Sequence, residues 1–442
     1  MAQEPEHRKL NIPEFKKGES TWWVQGKDTK STSSRRKAAK LRFYWVIFIS
    51  LMLTIFGGAV FLAIGYWIYA AFGPKECDLF TPKAEIVKTF KTEHEGTIQK
   101  LSYSPEGLFL ISASDDSSAL LMNAETGEVL RQMKGHQQGI TSMAVISLLS
   151  QSRMEDARND PQLALSALRI LTGSKDTRAI LWNPELNPPI QQRLGDEDNA
   201  LKEIDNIFEI PPGHTKAITS VALSSDGRYA LTGGMDNRFF LWDTINRSLV
   251  KKDSDNVEEF GLGTDLALPH TGPVTALAFN PDGNSYVSGS EDCLIKIWDS
   301  NSDDLNQTFS GHNSAVTLLQ FGNSGKTLLS ASRDQRILLW DLITGKRKQI
   351  FSSENEVESA ILSPNEKYVI GTMFENSAVL WDVQSGDKLL QFVAPGQITA
   401  LALSPMTTED GIPLYLAAAT SEGIIVIFST ESKLETIRSK LN

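Results

Sequence analysis

"HTGPVTALAFNPDGNSYVSGSEDCLIKIWD", residues 270–299, holds the pattern that decides the fold. A His is followed four residues later by a β-branched residue, then Thr. A short strand runs into "NPDG" at 280, where Pro followed by Asp-Gly suits a type I turn between antiparallel strands. A second strand ends in small residues, an acidic turn follows, and a third strand closes on Trp-Asp. The His opening recurs as "HEGTI" at 94, "HQQGIT" at 136, "HTKAIT" at 214 and "HNSAVT" at 312. The β-branched position continues without its His at Val357 and Ile398. The seven positions 98, 140, 218, 274, 316, 357 and 398 are spaced by 42, 78, 56, 42, 41 and 41 residues.

The turn repeats as "SPEG" at 104, "SSDG" at 224 and "SPNE" at 363. The third strand repeats as "ILWN" 180–183, "FLWD" 240–243, "LLWD" 338–341 and "VLWD" 379–382. Each unit reads as four short strands. A period near 42 residues with these marks resembles the WD40 repeat family, over about 345 residues. The resemblance implies an all-β fold, a seven-bladed propeller over 86–430. "IVKTFKT" (86–92) matches the strand before each later His and is expected to complete the seventh blade, removing a free edge. The sequence departs from the pattern at Met122 and Phe428, which stand where other blades carry Trp. Blades 6 and 7 lack the His and have Glu375 and Glu422 in place of Asp, so their networks are expected to be incomplete.

In this family the His joins an Asp, a Ser or Thr, and the Trp. Carried over, the resemblance groups His94, Ser112 and Asp116; His136, Thr172, Asp176 and Trp182; His214, Thr232, Asp236 and Trp242; His270, Ser288, Asp292 and Trp298; His312, Ser330, Asp334 and Trp340. Ser, His and Asp together also suggest a hydrolase triad. A triad occurs once, however, and this set occurs five times. His7 is then the one His outside these sets, which leaves none in the propeller for acid–base work or a metal. Cys77 and Cys293 make neither a disulfide framework nor a zinc site. No phosphate loop or dinucleotide fingerprint appears. No catalytic residue, cofactor or metal is expected.

Charge is unevenly spread. Residues 1–42 carry eleven Lys/Arg against five Asp/Glu; the rest carries 32 against 49. So acidic a body repels phosphate backbones, which argues against nucleic acid as partner. Residues 43–72 are thirty uncharged residues flanked by aromatics, long enough to cross a bilayer. They are too long, and start too late, for a cleaved signal peptide. The expected organisation is a basic cytoplasmic tail (1–42), a transmembrane helix (43–73), a linker (74–85), the propeller (86–430) and a polar C-terminal tail (431–442). The Lys/Arg cluster before the helix places the propeller outside the cytoplasm: periplasmic on a bacterial inner membrane, or lumenal in a eukaryote, where Asn246 and Asn306 would be glycosylation acceptors.

Insertions mark candidate partner surfaces. They are 149–164 and 184–207 in blade 2, 246–266 in blade 3 and 404–413 in blade 7. Read as first-to-second and third-to-fourth connections, all four fall on one end of the propeller. Their acidic residues Glu155, Asp156, Asp196, Glu197, Asp198, Asp253, Asp255, Glu258 and Glu259 suit a basic partner. The Asp/Glu of 195–205 lack EF-hand spacing and read as a solvated loop. Trp22 and Trp23, in a polar tail, read as a docking motif or as residues of the lipid interface. Together these features predict a non-enzymatic, membrane-anchored scaffold or accessory subunit whose partners are integral membrane proteins, with a possible cytoplasmic partner for the tail. A ligand-sensing receptor is the first alternative and a hydrolase acting through the central channel the second.

Overall fold

The computed structural model describes residues 81–185, 207–210, 213–250, 270–302, 304–408, 412–430 and 433. These belong to the second of two units, which divide after residue 80. They form seven four-stranded antiparallel sheets, the blades of a propeller. Blade 4 shows the plan: Val274–Phe279, Ser285–Ser290, Leu294–Asp299 and Leu305–Ser310, in that order from first to fourth strand. The first turn closes with the Gly283 N–H donating to the Asn280 carbonyl at 2.8 Å. Gly283 has φ +74°, which a glycine adopts without a Cβ penalty. Blade 6 has Glu366 at the matching position with φ +58°. Its carboxylate accepts from the Ser324 N–H (2.6 Å) and the Thr327 hydroxyl (2.7 Å) of blade 5, so a strained backbone is tied to a contact between blades.

The core lies between the blades. Second- and third-strand residues such as Leu110, Leu120, Leu329 and Leu338 are fully buried against neighbouring sheets. Each such side chain contributes roughly 1.5–3 kcal/mol on leaving water. Met122 and Phe428, standing where other blades have Trp, are buried to the same degree.

The recurring Thr after the β-branched position has a structural use. Thr141 donates to the Ile218 carbonyl, Thr219 to Val274, Thr275 to Val316, and Thr317 to Val357 at 3.1 Å, each reaching the next blade. Blades 2 to 6 are thus joined around the channel. Ring closure follows the expectation for residues 86–92. Strand Glu85–Lys91 pairs with Ile424–Ser429, the third strand of blade 7. Residues 82–84, read as linker, run parallel to the fourth strand of blade 6. The Ala84 N–H donates to the Gln391 carbonyl (2.7 Å), and the Gln391 N–H donates to the Pro82 carbonyl (2.8 Å).

Three expectations are corrected. First, the fold was expected to include a membrane-spanning helix. No helix among the described residues is long and apolar enough to cross a membrane. The two present, α1 (Gln151–Asn159) and α2 (Pro161–Ala167), have 9 and 7 residues. At 1.5 Å per residue they are far short of a hydrocarbon core about 30 Å thick. Residues 43–73 lie outside the described residues, and the single-pass assignment, with its periplasmic or lumenal placement of the propeller, is withdrawn.

Second, the insertion at 149–164 is a helical hairpin. Asp160 caps α2 by accepting from the Gln162 and Leu163 N–H groups, and Pro161 sits in the first turn, where no N–H is needed. Ala157, Ala164 and Leu165 are buried with Phe109 and Ile170, packed on blades 1 and 2.

Third, blade 3 does not expand its third-to-fourth turn. Asp243 accepts from the N–H groups of Ile245 and Asn246, and Ser248–Leu249 already pairs with Asp243 and Trp242. Ser248–Leu249 is thus already the fourth strand, and residues 251–269 lie outside the described residues.

Candidate functional site

Five blades hold a buried hydrogen-bond chain at the end of the propeller where second strands turn into third strands. In blade 4 the Trp298 indole N–H donates to Ser288 Oγ at 2.8 Å. His270 Nε2 lies 2.8 Å from the same oxygen, and His270 Nδ1 lies 2.9 Å from Asp292. Proton accounting fixes the roles. The carboxylate can only accept, so Nδ1 carries the proton of the neutral ring; Nε2 then accepts the hydroxyl proton, and the hydroxyl oxygen accepts from the indole. Asp292 also accepts from the Thr271 N–H (3.1 Å) and the Leu294 N–H (3.0 Å), tying the turn to the loop carrying the His.

The same geometry joins His312 to Ser330 (2.8 Å) and Asp334 (3.0 Å), with Trp340 on Ser330 (2.9 Å). It joins His214 to Thr232 (3.0 Å) and Asp236 (3.0 Å), with Trp242 (3.0 Å). It joins His136 to Thr172 (2.8 Å) and Asp176 (3.1 Å), with Trp182 (2.8 Å). Blade 1 keeps His94, Ser112 (2.9 Å) and Asp116 (2.8 Å), and the Ser118 hydroxyl lies 3.2 Å from His94 Nδ1.

Burial holds His94, His270 and His312 below the usual imidazole range, against the pull of their Asp partners. Burial pushes the carboxyls of Asp116, Asp176, Asp236 and Asp292 up, but the hydrogen bonds they accept outweigh it, and all four stay below the ordinary range. The hydroxyls of Ser112, Thr172, Thr232, Ser288 and Ser330 belong to residues with no solvent exposure. A nucleophile must reach its substrate. These oxygens cannot, and four of the five are already occupied by an indole. Among the described residues no group of three or more His, Cys, Asp or Glu could hold a metal ion.

Blade 6 breaks the pattern, and a cleft lies there. Ser353 occupies the place of the His and donates to the Thr372 and Met373 carbonyls (3.1 and 3.0 Å). Gly371 occupies the place of the hydroxyl residue; a Cβ there would meet Ile337 of blade 5 at 2.3 Å. The first strand is reduced to Ala360–Leu362. What remains is a cleft of about 340 Å³ at the same end as the networks, lined by Gln335, Glu356, Glu358, Phe374, Glu375 and Gln397 among others. Its three charged residues are all glutamates. Phe374 is 42 % exposed, and Arg333 reaches Glu356 only loosely, at 3.8 Å. Burial pulls the Lys100 ammonium group of blade 1 below the ordinary lysine range, and the charge of Glu358 opposes that shift.

Of the expected partner-binding residues, Glu155 and Asp156 are exposed on α1. Trp22, Trp23, Asp196, Glu197, Asp198, Asp253, Asp255, Glu258 and Glu259 lie outside the described residues. The cleft residues Glu356, Glu358 and Phe374 were not singled out from sequence. The available signal was the loss of the His and Asp in blade 6.

A ring of seven four-stranded sheets, five of them holding a buried His–Asp–hydroxyl network, defines a class of protein: a β-propeller. Residues 206–243, 266–299 and 303–341 match the family model described as WD domain, G-beta repeat. Residues 78–147 match the anaphase-promoting complex subunit 4 WD40 domain. Nuclear distribution protein PAC1 of Arthroderma benhamiae (strain ATCC MYA-4681 / CBS 112371) is 27% identical over 247 residues, covering 50% of this chain and 53% of that protein. The guanine nucleotide-binding protein subunit beta of Solanum tuberosum is 23% identical over 321 residues, covering 64% and 74%. That of Oryza sativa subsp. indica is 24% identical over 256 residues, covering 51% and 60%. The chain spans about half the length of the nuclear distribution relatives it matches. The chain therefore carries WD40 repeats, set in a seven-bladed propeller.

Proposed function

We propose that this chain is a non-catalytic protein-interaction scaffold, and that a partner docks by placing a Lys- or Arg-bearing segment in the blade 6 cleft. The observation that carries this reading is the cleft's lining: three glutamates and an exposed aromatic ring where the blade network is missing. Carboxylates attract the cation, and the ring face adds a cation–π contact. The WD40 repeats support an interaction role. By their printed names, two of the relatives are subunits of guanine nucleotide-binding proteins, which is consistent with a propeller serving inside an assembly. The narrower expectation of a membrane-anchored subunit with integral membrane partners depended on residues 43–73 and is not part of this proposal.

The test is fluorescence anisotropy of labelled nonapeptides, Arg/Lys-rich against Asp/Glu-rich, titrated with the full chain. The basic peptides are expected to bind, more weakly as salt rises. The Glu356→Gln/Glu358→Gln/Glu375→Gln variant should weaken them about tenfold or more. Equal binding to wild type and variant would overturn the assignment.

A further inference from the structure

We propose that the outer edge of blade 5 is a second docking surface, which takes an extended acidic segment of a partner protein by strand addition. The proposal does not rest on the blade 6 cleft. The fourth strand of blade 5, Lys346–Ser352, reads "KRKQIFS" and ends its sheet. Among the described residues nothing pairs with its outer side. Lys346, Arg347 and Lys348 are all exposed and form the longest run of basic residues among those described. Successive strand residues point to opposite faces, so the run sets positive charge on both sides of an incoming strand. Asp341 and Glu366 are near enough to Lys348 for it to lower their carboxyl pKa, and Lys346 and Arg347 make no ion pair among the described residues. Apolar surface flanks the run: Ile350 is 42 % exposed and Ile343, in the preceding turn, 74 % exposed.

The propeller itself shows the mode of attachment. One blade further on, residues 82–84 lie along the fourth strand of blade 6 and engage both backbone groups of Gln391. An outer blade edge of this molecule therefore does accept an extended segment. No other outer strand described here carries such a run: blade 4 has "LNQTFS" and blade 6 "KLLQFV". Charge complementarity then selects the occupant, a strand that alternates Asp or Glu with apolar residues. The competing reading is that the lysines only deter edge-to-edge association.

The experiment uses the full chain and a set of fluorescein-labelled nonapeptides alternating Glu or Asp with Val, Ile or Phe. It adds matched peptides that are N-methylated on alternate residues, and vesicles containing phosphatidylserine. The acidic peptides are expected to bind. The Lys346→Glu/Arg347→Glu/Lys348→Glu variant should lose about tenfold or more in affinity at unchanged thermal unfolding. N-methylation should remove binding to wild-type protein, because it blocks the backbone ladder without changing charge. Equal binding of the N-methylated peptides would overturn strand addition. Binding to vesicles with none to peptides would overturn the protein partner. Self-association of the triple variant without peptide binding by wild type would reduce the run to edge protection and overturn the proposal.

Discussion

Ser288 serves two partners at once, the Trp298 indole and His270 Nε2, with no solvent at hand to replace it. Ser288→Ala strands both, and each buried group left without a partner costs roughly 1–3 kcal/mol. Denaturant unfolding should show a loss of about 2–6 kcal/mol, while Ser288→Thr, the residue blades 2 and 3 use, should be mild. The histidines set a pH dependence. His94, His270 and His312 titrate below their ordinary 6.5 in the folded chain, so the unfolded chain binds more protons in that range. Stability is therefore full above pH 6.5 and falls as pH drops from there toward the folded values. Unfolding midpoints measured from pH 8 to 5 should decline, with a flat profile contradicting the neutral Nδ1–H form. These networks were legible in the sequence because spacing is rigid: 18 residues from His to Ser and 22 from His to Asp in blade 4. Blade 2 stretches both to 36 and 40 by its insertion, yet the ends still meet.

At the scale of single elements, turns and insertions carry the surprises. Glu366→Gly relieves a left-handed backbone worth about 1–2 kcal/mol. It also deletes two carboxylate hydrogen bonds worth about 1.5–3 kcal/mol each. The net result should be a destabilised chain, by roughly 1–5 kcal/mol in denaturant unfolding; a gain would mean that the contact with blade 5 contributes nothing. Glu106, in the first turn of blade 1, has no exposure, and among the described residues no well-formed hydrogen bond reaches its carboxylate, Ser104 interacting with it only weakly. Burial pushes its carboxyl up from 4.5, with Ser104 offsetting only part. A raised carboxyl favours the fold below its unfolded pKa, and that contribution is lost as pH rises through the folded value. Glu106→Gln should thus stabilise the chain more at pH 8 than at pH 5, a difference readable by thermal unfolding. Neither feature was readable from sequence, since both depend on what a neighbouring blade or loop sets against the turn. The helices of the insertion at 149–164 are hard to read from sequence because their apolar residues sit in a polar run, and their burial depends on packing against blades 1 and 2.

Across the whole molecule the ring is uneven. Seven blades followed from the resemblance to WD40 repeats, and their closure by Glu85–Lys91 from the likeness of residues 86–92 to the strand before each later His. The weak joint at blade 6 did not, because a missing His says nothing about a shortened first strand. That strand, Ala360–Leu362, should exchange its amide hydrogens faster than the six-residue first strands of blades 4 and 5, Val274–Phe279 and Val316–Phe321. Hydrogen-exchange mass spectrometry of the intact chain checks this directly. The central claim is that partners dock at the end bearing the networks, over blade 6, and not at the end bearing the helical hairpin. Carbodiimide cross-linking joins carboxylates to partner lysines and reports which end is used. In native extracts, conjugates through Glu356, Glu358 and Glu375 are expected to dominate. Conjugates confined to Glu155 and Asp156, with none at the cleft, would contradict the account.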